Sequence, residues 1–265
     1  MSNHKPRRRL WLIVLILCLL LFLGALGLLV YYLWPTSAPI VPVPDFAPTA
    51  TDTADPNPTG GTSTTQALID NPIDFAAKQA ENPHIVAWIQ IPGTVIDYPI
   101  MQSGNDVPEN FYLDHGPNRK ANRNGSIYIQ QINRADFTHP NTVLYGHNMA
   151  NGSMFAAIRQ YRKTSFFNKN QYIYIYTPGH ILTYHVYSAF IYDNRHILNS
   201  FNFMDPEEYG AFLEQTLNPA SMSRQVRKGV EVTTDDRIIT LSTCTGNSWE
   251  RYLVEGVLIS DQPTK

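Results

Sequence analysis

The chain has 265 residues, two cysteines and a formal net charge of −2, with 43% hydrophobic and 16% charged residues. Two cysteines cannot form a disulfide framework, and the near-neutral charge argues against a nucleic-acid binder, whose affinity depends on neutralising phosphates. The charge is unevenly divided, because residues 1–9 hold four basic residues while the rest carries 16 basic against 22 acidic residues, a net of −6.

The first 34 residues have the pattern of a membrane anchor. Residues 10–34 contain no charged side chain and are mostly Leu, Ile and Val. A helix of that length can cross a hydrocarbon core about 30 Å thick. The apolar stretch of a cleavable signal peptide is shorter, about 7–15 residues, so an uncleaved signal anchor is favoured. The basic tail, 1–9, then predicts a single-pass protein of the cell membrane with a cytoplasmic N-terminus and an extracytoplasmic domain.

A spacer follows the predicted anchor. Residues 35–65 contain seven Pro and eight Thr but no Lys or Arg. Such a composition cannot bury a core and predicts an extended connection. The remaining residues, 66–265, are enough for one domain with a sizeable core.

This domain is predicted to be mainly β. It opens with a helix at 71–82 and continues as short apolar or alternating runs separated by turn residues. Eight strands at such spacing indicate a closed or nearly closed barrel rather than a parallel α/β sheet. The predicted strands are 85–91, 95–100, 126–129, 142–145, 172–176, 182–192, 237–242 and 252–259.

Two helices are predicted to interrupt the strands, at 153–161 and 205–217. The second has clear start signals, since Asp205 suits an N-cap and Pro206 suits the first helical position. Its apolar residues recur at helical spacing and are expected to pack on the barrel. These residues are Tyr209, Phe212, Leu213 and Leu217.

The two cysteines have different settings. Cys18 lies within the apolar segment and is interpreted as a small hydrophobic residue. Cys244 ends a predicted strand and, on the expected topology, has no disulfide partner. A lone thiol at a strand end is a candidate nucleophile, and a buried core cysteine is the alternative.

A reactive thiol needs a nearby histidine or cation. Among eight histidines, His147 has the best local context, because Gly146 permits a tight bend at the end of a predicted strand. His115 is a second candidate, whereas His196 stands in a loop without an evident role.

Arg251 is the candidate for stabilising a developing oxyanion. Six residues separate it from Cys244. A connection this short cannot be a parallel crossover, so the two strands should form an antiparallel hairpin with Cys244 and Arg251 facing each other.

These residues resemble the motifs of the sortases, membrane-anchored cysteine transpeptidases of Gram-positive bacteria. The similarity lies in the TLSTC sequence at 240–244, followed by Arg251, and in the YGH sequence at 145–147. Within the family the chain looks most like class B, on the segments 82–100, 112–115, 125–128 and 147–155 and on the helix at 205–217. The resemblance implies a closed eight-stranded β-barrel with an N-terminal helix and a helix inserted before the last strands.

The resemblance also implies the roles of individual residues. Cys244 would be the nucleophile, His147 the general acid and base, and Arg251 the residue that binds substrate and stabilises the oxyanion. Ser242 and Thr243, beside the nucleophile, are candidate substrate-binding residues. His115 resembles a secondary histidine of the family and is not expected to be catalytic.

The implied reaction couples cleavage to ligation. Cys244 would attack the Thr carbonyl of a C-terminal sorting signal in a secreted protein, and an amine of a peptidoglycan precursor or a pilin lysine would resolve the thioacyl-enzyme. No metal, cofactor or nucleic acid is expected. A secreted cysteine peptidase that uses water and a catalytically inactive surface binding module are the alternatives.

Two features depart from the family pattern. The spacing between Cys244 and Arg251 is shorter than in some class B members. Gln130 and Gln131 stand where an acidic residue often follows the GSI(F/Y) strand.

Overall fold

The structure, a computed structural model that describes residues 68–265 together with Leu15 and Cys18, contains nine strands. Eight of them correspond to the predicted strands, and the seventh, whose three residues are all at least partly exposed, lacks the apolar run that would have predicted it. In chain order they are β1 (Ile85–Gln90), β2 (Asp97–Gln102), β3 (Ile127–Ile129), β4 (Asn141–Tyr145), β5 (Tyr172–Thr177), β6 (His180–Asp193), β7 (Arg224–Val226), β8 (Ile238–Cys244) and β9 (Glu250–Pro263).

The strands form one sheet in the order β5-β1-β2-β3-β4-β8-β9-β6-β7. β5 also pairs with β6, which closes eight strands into a barrel and leaves β7 outside it, on β6. The β2–β3 and β4–β8 pairs are parallel, and the other pairs are antiparallel. The predicted mainly β fold with a closed eight-stranded barrel is confirmed.

β8 and β9 separate two apolar layers, because successive side chains of a strand point to opposite faces. On one face Ile239, Leu241 and Val254 belong to the main core cluster. On the other face Ile238 and Leu253 belong to a second cluster, which includes the inserted helix. Both faces of these strands are therefore covered, which fixes the position of their ends.

The inserted helix is Pro206–Leu217, as predicted. The Asp205 carboxylate accepts hydrogen bonds from the backbone N–H groups of Glu207 at 2.8 Å and Glu208 at 3.4 Å, so the predicted N-cap is confirmed. The residues that this helix buries in the second cluster include Tyr209, Phe212 and Leu213.

The other helical segments follow the prediction less closely. The N-terminal helix is shorter than expected, Phe75–Glu81. The predicted helix at 153–161 is instead a 3₁₀ helix, Phe155–Arg162. Its fully buried residues recur every three positions, the period at which side chains align in a 3₁₀ helix. These residues are Phe155, Ile158 and Tyr161. Three short segments were not predicted: the 3₁₀ helix Phe111–Leu113 and the helices Thr164–Lys169 and Ile197–Ser200.

The predicted location as a single-pass membrane protein is corrected. The longest helix among the described residues has 12 residues, against about 20 needed to cross a bilayer, and no described helix is long and apolar enough to do so. The predicted tail at 1–9 and spacer at 35–65 lie outside the described residues, as does the segment 10–34 apart from Leu15 and Cys18. The division at 65/66 stays a prediction.

Candidate active site

A cavity of about 300 Å³ lies where β8 ends. Its wall includes Cys244, His147 and Arg251, the three residues predicted to be catalytic, together with Ser242 and Thr243. The fold therefore brings all five predicted site residues to one place, although His147 lies 97 positions before Cys244.

Cys244 is the last residue of β8 and its only exposed one. The six residues before it are buried, so the strand holds the backbone in the packed core while the thiol is open to the cavity. The thiol is free. The alternative of a buried core cysteine is wrong.

Arg251 lies directly opposite Cys244 in the β8–β9 hairpin, as the short connection predicted. Residues paired in this way have Cβ atoms about 4.5–5.5 Å apart. Nη1 of Arg251 donates to the carbonyls of Glu250 at 2.9 Å and Ser248 at 3.4 Å. No carboxylate in the described part of the chain forms an ion pair with Arg251, which leaves its charge available to an anionic group in the cavity.

His147 follows β4 after a bend at Gly146. The parallel pairing of β4 with β8 places Tyr145 opposite Ser242, and the Gly146 N–H continues the ladder by donating to the Ser242 carbonyl at 3.2 Å. A Cβ at Gly146 would come within 2.7 Å of the Phe155 ring, so only glycine fits at this bend. Strands β4 and β8 thus deliver the histidine and the thiol to the same edge of the barrel.

The His147 ring is held by a backbone carbonyl. Its Nε2 lies 2.7 Å from the carbonyl oxygen of Leu113, at the end of the 3₁₀ helix Phe111–Leu113. A carbonyl oxygen can only accept, so Nε2 carries the hydrogen and donates it. In the neutral ring the lone pair is therefore on Nδ1, which is the nitrogen able to take up a proton.

Ser242 and Thr243 line the cavity but are largely buried, with 4% and 2% of their surface exposed. The Thr243 hydroxyl donates to the Gly146 carbonyl at 2.7 Å. Thr243 therefore ties the strand of the nucleophile to the bend of the histidine. A substrate-binding role for either residue stays a prediction.

Several polar lining residues were missed by the sequence interpretation, and three have buried atoms without a hydrogen-bond partner among the described residues. These atoms are Gln130 Oε1, Tyr145 Oη and His196 Nδ1. Gln130 was noted only as a departure from the family, and nothing local marks His196, because the chain returns it to the cavity through the segment after β6.

Two stacked tyrosines form another part of the wall. The rings of Tyr128 and Tyr145 lie 5.5 Å apart. Burial, with smaller contributions from Glu109 and Cys244, raises the pKa of Tyr128 to about 12, and burial also raises the pKa of Tyr145 above its ordinary value. Both phenols are therefore protonated at neutral pH and can donate hydrogen bonds to a ligand.

His115 lies apart from the cavity wall. Its Nδ1 is 2.6 Å from the Asp114 carboxylate and 2.9 Å from the Phe111 carbonyl, and its ring stacks on Phe111. These contacts give His115 a place in the loop after the 3₁₀ helix. Among the residues that the structure describes, no group of three or more His, Cys, Asp or Glu side chains could hold a metal ion.

Comparison with known proteins identifies similar chains. A family model described as the Sortase domain matches residues 89–259. The chain is 34% identical over 187 residues to sortase B of Listeria monocytogenes, which covers 69% of this chain and 72% of that protein. It is 31% identical over 170 residues to sortase B of Staphylococcus aureus, covering 64% of this chain and 67% of that protein.

Solved structures give the same result. Sortase B of Clostridium perfringens has a TM-score of 0.62 and 31% identity, covering 70% of this chain and 100% of that one. A structure described as the Staphylococcus aureus sortase B–substrate complex has a TM-score of 0.61 and 30% identity, covering 70% of this chain and 84% of that one.

Proposed function

Because the chain belongs to the sortase family, as a class B cysteine transpeptidase of the cell-wall sorting kind, we propose that it joins secreted proteins to an amine of the cell wall. The donor is a protein with a C-terminal sorting signal. The acceptor is an amine of a peptidoglycan precursor or, for assembly into a pilus, a pilin lysine.

In the first half-reaction the Cys244 thiolate attacks the carbonyl carbon of the scissile peptide bond. The carbonyl oxygen becomes an oxyanion, which the Arg251 guanidinium stabilises by charge and hydrogen bonding. The C–N bond then breaks, and His147 gives its Nδ1 proton to the departing amine. The products are a thioester on Cys244 and the free C-terminal fragment.

In the second half-reaction the acceptor amine attacks the thioester carbonyl. His147 takes the proton that the amine loses, and the C–S bond breaks to return the Cys244 thiolate. A new amide bond has formed without ATP, because the thioester retains enough free energy to acylate an amine. His147 thus begins the next cycle protonated.

The observation that carries this proposal is the cross-strand pair of Cys244 and Arg251 at the wall of the cavity that His147 also lines. A thiol, a histidine and a guanidinium that has no carboxylate partner among the described residues are the groups that acyl transfer needs for attack, proton transfer and charge stabilisation. The cavity is also open enough for a peptide to reach the thiol, which is exposed.

Mass spectrometry of the reaction products tests the proposal. Purified protein is incubated with a panel of candidate sorting-signal pentapeptides, with and without an amine acceptor. We expect an acyl-enzyme mass on the wild-type protein and a peptide–amine product in the presence of the acceptor. Hydrolysed peptide as the sole product under excess amine would instead support a peptidase that uses water.

Three variants test the residue roles. Cys244→Ala should abolish the acyl-enzyme, and His147→Ala should lower kcat/KM by about 10²–10⁴-fold, the usual contribution of a general acid and base. Arg251→Lys keeps the charge but loses the planar fork, and should lower kcat by about 10²-fold. Arg224→Lys, on β7, is the matched control and should retain activity. Full activity in Cys244→Ala would overturn the proposal.

A further inference from the structure

We propose that Gly125 is a positioning residue for His147: the absence of a side chain at Gly125 lets the Leu113 carbonyl remain within hydrogen-bond reach of Nε2. This inference rests on the proposed function, since it assigns the purpose of the His147–Leu113 contact to proton transfer. Gly125 acts on His147 through the Leu113 carbonyl.

The Leu113 carbonyl determines the tautomer of His147. The 2.7 Å contact with the Leu113 carbonyl keeps the hydrogen on Nε2, and this leaves Nδ1 for proton exchange with the reacting groups. If the carbonyl moved away, the neutral ring could carry its hydrogen on either nitrogen and could also rotate. The fraction of molecules with a productive histidine would then fall.

The Leu113 carbonyl is held in position by the 3₁₀ helix that Leu113 ends. Leu113 ends a 3₁₀ helix, and the last carbonyls of a helix have no partner within it, so this oxygen is free to accept from a side chain. The helix is fixed from beneath by Tyr112, which is fully buried. The Tyr112 hydroxyl accepts from Asn82 Nδ2 at 2.9 Å and lies 2.8 Å from His84 Nδ1.

The backbone at 125–126 approaches this 3₁₀ helix closely. The Ser126 N–H donates to the Tyr112 carbonyl at 2.9 Å, which brings Gly125 against the same peptide groups. A Cβ built on Gly125 would overlap the Leu113 oxygen and would lie 2.9 Å from both the Leu113 carbonyl carbon and the Tyr112 oxygen. These are backbone atoms, which cannot move out of the way by a rotamer change as the end of a flexible side chain can. The first atom displaced would therefore be the one that holds His147.

Gly229 provides a matched control for Gly125. Gly125 has a positive φ of +57°, so any substitution there also strains the backbone. Gly229 has φ +79° but has no atom within 4 Å of a built Cβ. Gly229→Ala therefore carries the backbone strain without the collision, and Gly125→Ala carries both.

Steady-state kinetics and histidine NMR test the inference. We expect Gly125→Ala to lower kcat by about 100-fold with KM changed less than about threefold, because a small displacement of a catalytic group impairs the chemical step more than binding. Gly229→Ala should keep kcat within about twofold. At a pH at which the His147 ring is neutral, its ¹⁵N shifts should show hydrogen on Nε2 in the wild-type protein and a mixture of tautomers in Gly125→Ala.

A second variant separates collision from strain. Asn tolerates a positive φ better than Ala does, yet it has the same Cβ, so Gly125→Asn should lose kcat to a similar extent. If Gly125→Ala does not fold, the kcat of Gly125→Asn and the tautomer of wild-type His147 test the inference instead. The inference is overturned if either Gly125 variant keeps full kcat, if Gly229→Ala loses as much, or if the neutral ring of wild-type His147 carries its hydrogen on Nδ1.

The two proposals can fail separately. Activity in Cys244→Ala would refute the proposed function, while the tautomer measurement, which needs no turnover, would still test Gly125. An inactive Cys244→Ala together with a fully active Gly125→Ala would refute the role of Gly125 alone.

Discussion

At the scale of single residues, the most unusual group outside the cavity is Glu255. It is fully buried on β9, and burial raises the pKa of its carboxyl to about 8. The Thr240 hydroxyl lies 2.7 Å from Glu255 Oε2 and 3.0 Å from Asn141 Oδ1. The Thr240 hydroxyl donates to Glu255 Oε2, and this hydrogen bond by itself lowers the pKa of the carboxyl, but the opposing effect of burial is larger.

Glu255 should make the stability of the protein fall as pH rises. Its pKa is higher in the folded state than the ordinary value of 4.5, so between about pH 4.5 and 8 the folded state binds more protons than the unfolded state. The stabilisation is complete below this range and lost above it. Urea denaturation should show Glu255→Gln more stable than wild type by roughly 2–4 kcal/mol at pH 8, but not at pH 5. Exposed Glu231→Gln is the control, and an equal gain at both pH values would contradict the prediction.

Thr243 is the residue where the hydrogen-bond pattern most directly links the nucleophile to the histidine. Thr243→Val removes the donor to the partly buried Gly146 carbonyl, and leaving such an acceptor unpaired costs about 1 kcal/mol or more. We expect kcat/KM to fall about tenfold or more, and Thr243→Ser, which keeps the hydroxyl, to restore most of it. Equal losses in both variants would contradict the prediction, because Thr243→Ser keeps the hydroxyl that Thr243→Val removes.

At the scale of secondary-structure elements, the inserted helix is held by its cap as well as by its apolar face. Asp205→Ala removes the acceptor for the Glu207 and Glu208 N–H groups and should reduce the free energy of unfolding by about 1 kcal/mol. Asp205→Asn keeps an acceptor oxygen and should lose less. Denaturant titration of the two variants provides the measurement, and a larger loss in Asp205→Asn would contradict the capping argument.

Elements with local signals were predictable from the sequence, and elements defined by distant contacts were not. The Pro206–Leu217 helix carries its cap and its apolar spacing within a dozen residues, so its limits were predicted correctly. β7 has no signal of its own, because its pairing partner on β6 defines it. The 3₁₀ form of Phe155–Arg162 likewise follows from burial at every third residue, which an α-helical prediction of the same segment does not distinguish.

In the candidate site, too, the features with a local sequence signal were predictable and those that depend on distant contacts were not. The facing of Cys244 and Arg251 follows from a six-residue connection, which permits only a hairpin. The approach of His147 depends on the parallel β4–β8 pairing of strands nearly 100 residues apart, and the resemblance to a family predicted it where spacing could not. The hydrogen bond between His147 and Leu113 could not be predicted from the sequence, because its acceptor is a main-chain oxygen, which every residue has.

At the scale of the whole molecule, protection should follow strand order. β8 is paired on both sides and covered on both faces, whereas β7 pairs with β6 alone among the described strands. Hydrogen exchange followed by mass spectrometry should therefore show the amides of Ile238–Thr243 among the slowest and those of Arg224–Val226 among the fastest of the strand amides. Comparable protection in β7 and β8 would mean that β7 is integrated into the sheet more firmly than its pairing indicates.

Barrel closure also bears on how the protein behaves at high concentration. An open sheet exposes edge strands whose unpaired N–H and C=O groups can recruit strands from other molecules. Here the β5–β6 pairing removes both edges of the eight-stranded sheet, and the outer side of β7 is the open edge that remains among the described strands. That edge is three residues long and begins with Arg224 and Gln225, a short polar border of the kind that discourages edge-to-edge association. We therefore expect aggregation to require prior unfolding, so that its rate follows the unfolded population and not simply the protein concentration.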